Sequence, residues 1–303
     1  MLDVTCNRLR LSNPVLVASG TFGYARELAG MVDFTRLGGI VPKTVTLEPR
    51  AGNPPPRTVE TPSGLLNAIG LDNDGFYHFL EHHLPYLRTL GTAIVPNIAG
   101  KKADEFPRMA EELAAHDGIA ALELNLSCPN VAGGLDFATD PEQTRKIVEA
   151  VRRVFPHPIV AKLTPNITDI LPMVRAAADG GADAVTLSNT FVGMSVDWRK
   201  RRPILGNNTG GLSGPAIKPL VLRLVWKVAQ AGILPIVASG GISNLDDVME
   251  FLVAGASAVQ IGTATFHDPG AAERIVAGLP EAIAFLGAKH IREIVGTLRP
   301  NGS

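Results

Sequence analysis

The stretch PIVASGGISNLDDVMEFLVAGASAVQIGTA, residues 235 to 264, decides the fold. It opens on a short β-rich run, PIVASGG (235 to 241), and closes on another, AVQIGTA (258 to 264). Between them apolar residues recur at three- and four-residue spacing, the period of an amphipathic helix. Asn244 is placed to cap that helix, Asp246 and Asp247 favour its positive end, and Gly255 ends it. The order strand, helix, strand is that of a parallel crossover unit.

Working outward, the same event recurs. Further β-rich runs are PVLVASG (14 to 20), GGIVPKTV (38 to 45), TAIVPNIAG (92 to 100), ALELNLSC (121 to 128), PIVAKLTP (158 to 165) and AVTLSNT (184 to 190). Helix-like segments separate them; in DPEQTRKIVEAVRRVF, Asp140 is a fitting N-cap and Pro141 occupies the first helical position. Eight strand-then-helix units predict a closed parallel (β/α)8 barrel of the TIM class, with residues 1–303 as one domain. TCNRLRL, with a turn near Asn7 and Arg8, predicts an N-terminal hairpin ahead of the first barrel strand.

Composition narrows the function classes. The 303 residues are 46% hydrophobic and 19% charged, with a net charge of −1, so neither disorder nor an electrostatic hold on nucleic acid or an acidic membrane is expected. Cys6 and Cys128 are too few for a disulfide framework and lack metal-site spacing, which fits a reducing cytoplasm. The N-terminal residues lack the apolar core of a signal peptide, and no apolar run reaches membrane-span length.

Barrel enzymes place their chemistry at the C-terminal ends of the strands. Those ends offer Ser19 and Gly20, Lys43 and Thr44, Asn97, Asn125 and Cys128, Lys162, Asn189 and Thr190, Ser239 to Gly241, and Gly262 with Thr263. Two lysines leaving apolar strands toward one mouth call for an anion, because an unpaired buried ammonium is costly. That anion is a ligand or, on the plainer reading, a strand-end carboxylate such as Glu123. Gly240, Gly241 and Gly262 on the last two strands suit a phosphate, whose usual place in this fold is there. Taken singly, each glycine is equally a plain turn residue.

The connections after strands two (46 to 73) and six (191 to 214) are long enough to be structureless covers over the mouth. The first holds TPSGLLNAIGLDN, where Asn67, Gly70 and Asn73 offer amides and close backbone approach, and the second holds GNNTGGLSGP. Cys128 follows strand four by a residue or two and precedes Pro129, which biases it toward extended backbone. At a strand end a thiol is a credible general base, whereas Cys6, on the hairpin, reads as a small buried hydrophobe. The HFLEH pattern (78 to 82) resembles a zinc-peptidase signature, but it falls on an outer helix without a defined third ligand and is set aside.

Together NLSCPN with Glu123, SNPVLVASGTFG, KTVT, TPSGLLNAIGLDN, TGGLSGPAIKP, SGGI and IGTA resemble the FMN-containing dihydroorotate dehydrogenases over nearly the whole chain. The resemblance is strongest to the class 1B catalytic subunit, through the segment from Val131 to Pro141. It implies that Cys128 removes the C5 proton of dihydroorotate while hydride passes from C6 to FMN. The membrane-associated class carries serine at that position. It further implies that Lys162 faces the N1/O2 side of the flavin and that Lys43 touches flavin and substrate. The substrate would be held by Asn67, the backbone of Ala68, Ile69, Gly70 and Leu71, and by Asn125, Asn189 and Thr190. The flavin would be held by Ser19, Lys43, Thr44, Asn97, Asn125, Lys162, Ser188, Gly214, Gly240, Gly241, Gly262 and Thr263. Ser188 departs from the apolar residue common there in relatives. The class also implies a homodimer core with an electron-transfer subunit carrying FAD and a [2Fe–2S] cluster, a heterotetramer passing electrons to NAD. Two cysteines, one assigned to catalysis, cannot supply the four thiolates of such a cluster.

Alternatives are a class 1A-like enzyme using fumarate and, more remotely, a flavin-dependent tRNA dihydrouridine synthase, which normally adds a helical RNA-binding domain, whereas this chain has no basic surplus. A non-redox barrel acting on phosphorylated sugars would leave Cys128 and the two lysines without a common task. A silent binding subunit would need the glycines but not the thiol.

Overall fold

A computed structural model describes residues 1–127 and 138–302. Its main sheet is parallel and runs in space through Gly39–Ile40, Val15–Val17, Ala258–Ile261, Ile236–Ser239, Ala184–Leu187, Ile159–Lys162, Leu122–Asn125, Asn97–Ala99 and Val45–Thr46. Gly39–Ile40 and Val45–Thr46, at its two ends, are halves of one run interrupted around Pro42, which has no N–H for a ladder. Ile40 also bridges Ile94 in parallel, so that run joins the sheet's two edges and the ring closes as a (β/α)8 barrel. Strands four to eight are buried along their whole length, as expected for parallel strands covered on both faces.

Helices Glu105–Ala114, Pro141–Val154, Leu171–Asp179, Lys218–Ala231, Leu245–Ala254 and Ala271–Phe285 surround the ring. The two caps expected from sequence are present. The Asp140 carboxylate accepts from the amides of Glu142 and Gln143, and Asn244 and Asp247 form a reciprocal capping box. Gly255 closes the latter helix in the left-handed conformation, φ 119°.

The first unit differs from expectation. Strand one is followed only by 3-10 turns at Arg26–Leu28 and Phe34–Arg36, not by an α-helix. Gly20, Gly23 and Gly30 all have positive φ there, which interrupts right-handed helix.

The N-terminal hairpin, Val4–Cys6 paired with Leu9–Leu11, turns at Asn7 and closes the floor of the barrel. Arg8 donates to both carboxylate oxygens of Asp183, at 2.7 and 2.8 Å, beside the entry to strand six. Cys6 is fully buried, as expected of a small hydrophobe, and burial pushes its thiol up to about 12.

The two long connections are not structureless. Thr58–Thr61, Gly64–Asn67, Gly210–Ser213 and Phe191–Gly193 pair as one four-stranded antiparallel sheet, with strands from both connections. Extended backbone so far from the core satisfies its amides by pairing.

Candidate active site

The centre of the mouth is built on Glu123, a carboxylate with no solvent exposure. Desolvating such a charge costs several kcal/mol unless it is fully partnered. Its Oε1 accepts from Asn97 Nδ2 at 2.6 Å, and its Oε2 accepts from Thr186 Oγ1 and Gln260 Nε2, each at 2.6 Å. Lys162 Nζ lies 3.8 Å from Oε1 and 3.4 Å from Gln260 Oε1. The plainer reading of one lysine is therefore realised: Lys162 pairs with Glu123. Lys43 is different. It is half-buried, its amide donates to Gly23 O, and no carboxylate pairs with it among the described residues.

Asn97 is the informative member of this cluster. With its Nδ2 committed to Glu123, its Oδ1 is buried and has no partner among the described residues. A buried acceptor in that state costs roughly 1–3 kcal/mol, so it suits a ligand bearing an N–H. Ser19 and Thr44 meet at the neighbouring strand ends, hydroxyl to hydroxyl at 2.9 Å.

A second cluster lies between strands four and six. Asn125 Oδ1 accepts from Ser127 Oγ at 2.6 Å and from Asn189 Nδ2 at 3.3 Å, and Asn189 Nδ2 also donates to Ser127 Oγ. Asn189 Oδ1 accepts from the Thr190 amide. Ser188 is buried, its amide donating to Ser239 O. The cover sheet brings Asn67 to the same place: it is paired with Gly211 and donates to its carbonyl, while a β-carbon on Gly211 would run into Thr190. Beyond Asn67 the carbonyls of Ala68 and Ile69 accept from Asn53, Gly70 and Leu71 have positive φ, and the amides of Ile69, Gly70 and Leu71 find no acceptor among the described residues. Asn73 does not join them. Its side chain is spent on Thr46, Leu71 and Gly75 and pins the stem of the cover.

The glycines divide. Gly241 has φ 76° and a β-carbon there would sit 2.5 Å from the Lys218 amide nitrogen, so the approach of the preceding helix, Lys218–Ala231, alone requires it. Gly240 is similarly close to Val221, and Gly214 to Gly64. Gly262 has no such demand: a β-carbon would make only ordinary contacts with Ala18 and Thr21, at 3.6 and 3.8 Å. Thr263 ties strand eight to the cover by donating to Ser213 Oγ at 2.8 Å.

Cys128 lies outside the described residues; Ser127, described, is the second residue after strand four. Sequence reasoning missed Thr186, Gln260, Ser127 and Ser213. The first two had a signal: each is a polar residue inside an otherwise apolar, buried strand, AVTL and AVQI. The two serines had none, since their roles depend on partners brought in by folding.

A family model described as dihydroorotate dehydrogenase matches residues 1–283. The chain is 48% identical to a protein of Geotalea daltonii, 49% to one of Geobacter sulfurreducens and 48% to one of Desulforamulus reducens. The alignments cover 98%, 98% and 97% of this chain, and the same shares of the three relatives. Each relative is named the catalytic subunit of dihydroorotate dehydrogenase B (NAD(+)).

Proposed function

Given that the chain belongs to the dihydroorotate dehydrogenase family, we propose that it is the catalytic subunit of an NAD-linked enzyme oxidising dihydroorotate to orotate in pyrimidine biosynthesis. The observation that carries this reading is the near full-length similarity to relatives of that name. The whole chain acts as one domain in the cytoplasm, and no helix among the described residues is long and apolar enough to cross a membrane.

The residues at the mouth fit FMN. Asn97 Oδ1, buried and without a partner among the described residues, suits the imide N–H of a flavin ring, and Gly262 leaves open a space the chain itself would let a β-carbon fill. Ser19, Lys43, Thr44, Asn97, Asn125, Lys162 and Ser188 would hold the ring and its ribityl chain. Gly214, Gly240, Gly241, Gly262 and Thr263 would complete the site, the last four near the phosphate. When bound, FMN would supply the acceptor for the hydride leaving C6 of dihydroorotate.

The chain's own residues do the rest. Cys128 takes the C5 proton, and Asn67, Asn125, Asn189 and Thr190 orient the planar ring through amide and hydroxyl groups. The amides of Ile69, Gly70 and Leu71, in the segment beginning at Ala68, face the substrate carboxylate. Lys162, held against Glu123, keeps positive charge in a desolvated site where negative charge develops. Electrons leave through a partner subunit bearing FAD and a [2Fe–2S] cluster, docked on a homodimer of this chain. The shared name "catalytic subunit" supports a partner.

An anaerobic visible spectrum before and after dihydroorotate tests the reading. The flavin band of the wild type bleaches on mixing. A yellow protein unaffected by dihydroorotate would sink the substrate assignment. Full NAD-linked activity from this chain alone, purified from its host, would remove the partner.

A further inference from the structure

The HFLEH pattern gains in the structure what it lacks in sequence. Residues Phe79–His83 form a π-helical turn between helical segments Phe76–His78 and Leu84–Leu87. Such turns are rare, recur at functional sites, and place residues five apart on one face. Both following histidines lie near His78, the His82 ring at 4.3 Å and the His83 ring at 5.2 Å between centroids, but His82 Nε2 lies 3.7 Å from Glu81 whereas His83 shares Asp74 with His78. Asp74 completes the group: one ligand atom from each of Asp74, His78 and His83 lies within 4.8 Å of the others, and Asp74 Oδ2 is 3.9 Å from His78 Nε2. We propose that Asp74, His78 and His83 bind a divalent transition-metal ion, with Zn2+ as the fitting probe.

A second observation carries this. Both ring nitrogens of His83 are buried, yet neither has a hydrogen-bond partner among the described residues. The ring itself is fixed, stacked on Tyr24 with centroids 3.7 Å apart. A buried imidazole without partners is rare in native structures, and a cation on one nitrogen resolves it. Two imidazoles and a carboxylate are a common donor set for such metals, with bonds of about 2.0–2.2 Å to zinc. Asp74 and His78 are exposed, so side-chain rotation can bring them to that distance.

The ion would act as a tether. Asp74 directly follows Asn73, the pin of the cover stem, while His83 belongs to the helix behind it. Metal at this point links the rim to the outer helix without entering the mouth.

The test is titration of the purified, flavin-loaded full-length protein with Zn2+, followed calorimetrically and by melting temperature, with zinc-edge X-ray absorption on the loaded sample. One ion per chain, a raised melting temperature, and a shell of two imidazoles and a carboxylate are expected. Replacing His83 also removes its stacking on Tyr24, so the exposed residues carry the mutational test. Asp74→Asn and His78→Gln should each weaken binding at least about tenfold, while His82→Gln leaves it within about twofold, the scatter of such contributions. Sulfur in the shell would overturn the proposal, as would equal loss in His82→Gln, unchanged affinity in the Asp74→Asn, His78→Gln double variant, or no saturable binding below about 1 mM.

Discussion

The floor and the mouth of the barrel each bury a carboxylate, Asp183 and Glu123. At the floor, Asp183 is held by Arg8 at 2.7 Å and Arg152 at 3.2 Å and accepts the Ile159 amide at 2.8 Å. At the mouth, Glu123 is held by three neutral donors at 2.6 Å, with Lys162 farther off at 3.8 Å. The floor carboxylate has two close cations and no task beyond closure. The mouth carboxylate fixes Asn97 and Lys162 while leaving an Asn97 oxygen free for a ligand. What distinguishes a structural charge cluster from a functional one is the unspent bonding capacity, not the burial.

The largest effect should come at the mouth thiol. Cys128→Ala is expected to slow flavin reduction by dihydroorotate about 10²- to 10⁴-fold, measured by anaerobic stopped-flow, with melting temperature close to wild type. A rate within a few-fold of wild type would remove Cys128 as the base. At the floor the pattern should invert: Asp183→Ala leaves two arginines without their anion and should cost about 3 kcal/mol of stability in denaturant unfolding, with kcat preserved.

The floor thiol gives a pH-dependent version of the contrast. Because burial raises the Cys6 pKa from 9.0 to about 12, the unfolded chain loses this proton first. The stability contributed is fully present below pH 9 and is lost as pH rises toward 12. By about pH 10.5 the loss should be about 2 kcal/mol relative to Cys6→Ala. Parallel stability curves for the two proteins between these limits would show the thiol is not so placed. The smallest effect separates two glycines. Gly241→Ala should cost about 1–2 kcal/mol through its positive φ and the Lys218 backbone. Gly262→Ala should stay within about 0.5 kcal/mol yet release FMN more readily on dilution, read by flavin fluorescence.

The barrel was readable because each unit carries its own punctuation, as in Asn244 and Gly255 around one helix. The strand ends then gave Ser19, Thr44, Asn97, Asn125 and Lys162 by position alone. The missing first helix shows the limit of counting repeats: Gly20, Gly23 and Gly30 signalled it, but the period of eight overrode them. What could not be read was anything fixed by a distant partner. The pairing of Asn67 with Gly211, the diversion of Asn73 into the stem, and which of the two lysines Glu123 takes as its partner all depend on which strand ends meet.

The cover sheet has a consequence for synthesis. Asn67 hydrogen-bonds a partner 144 residues downstream. At about 5–20 residues per second, the first half of the cover waits roughly seven to thirty seconds for the second to be made. Through that interval Thr58–Thr61 and Gly64–Asn67 form a hairpin with an open edge, the kind of template that invites pairing with another chain. The Gly64–Asn67 edge is therefore where a nascent chain most needs protection.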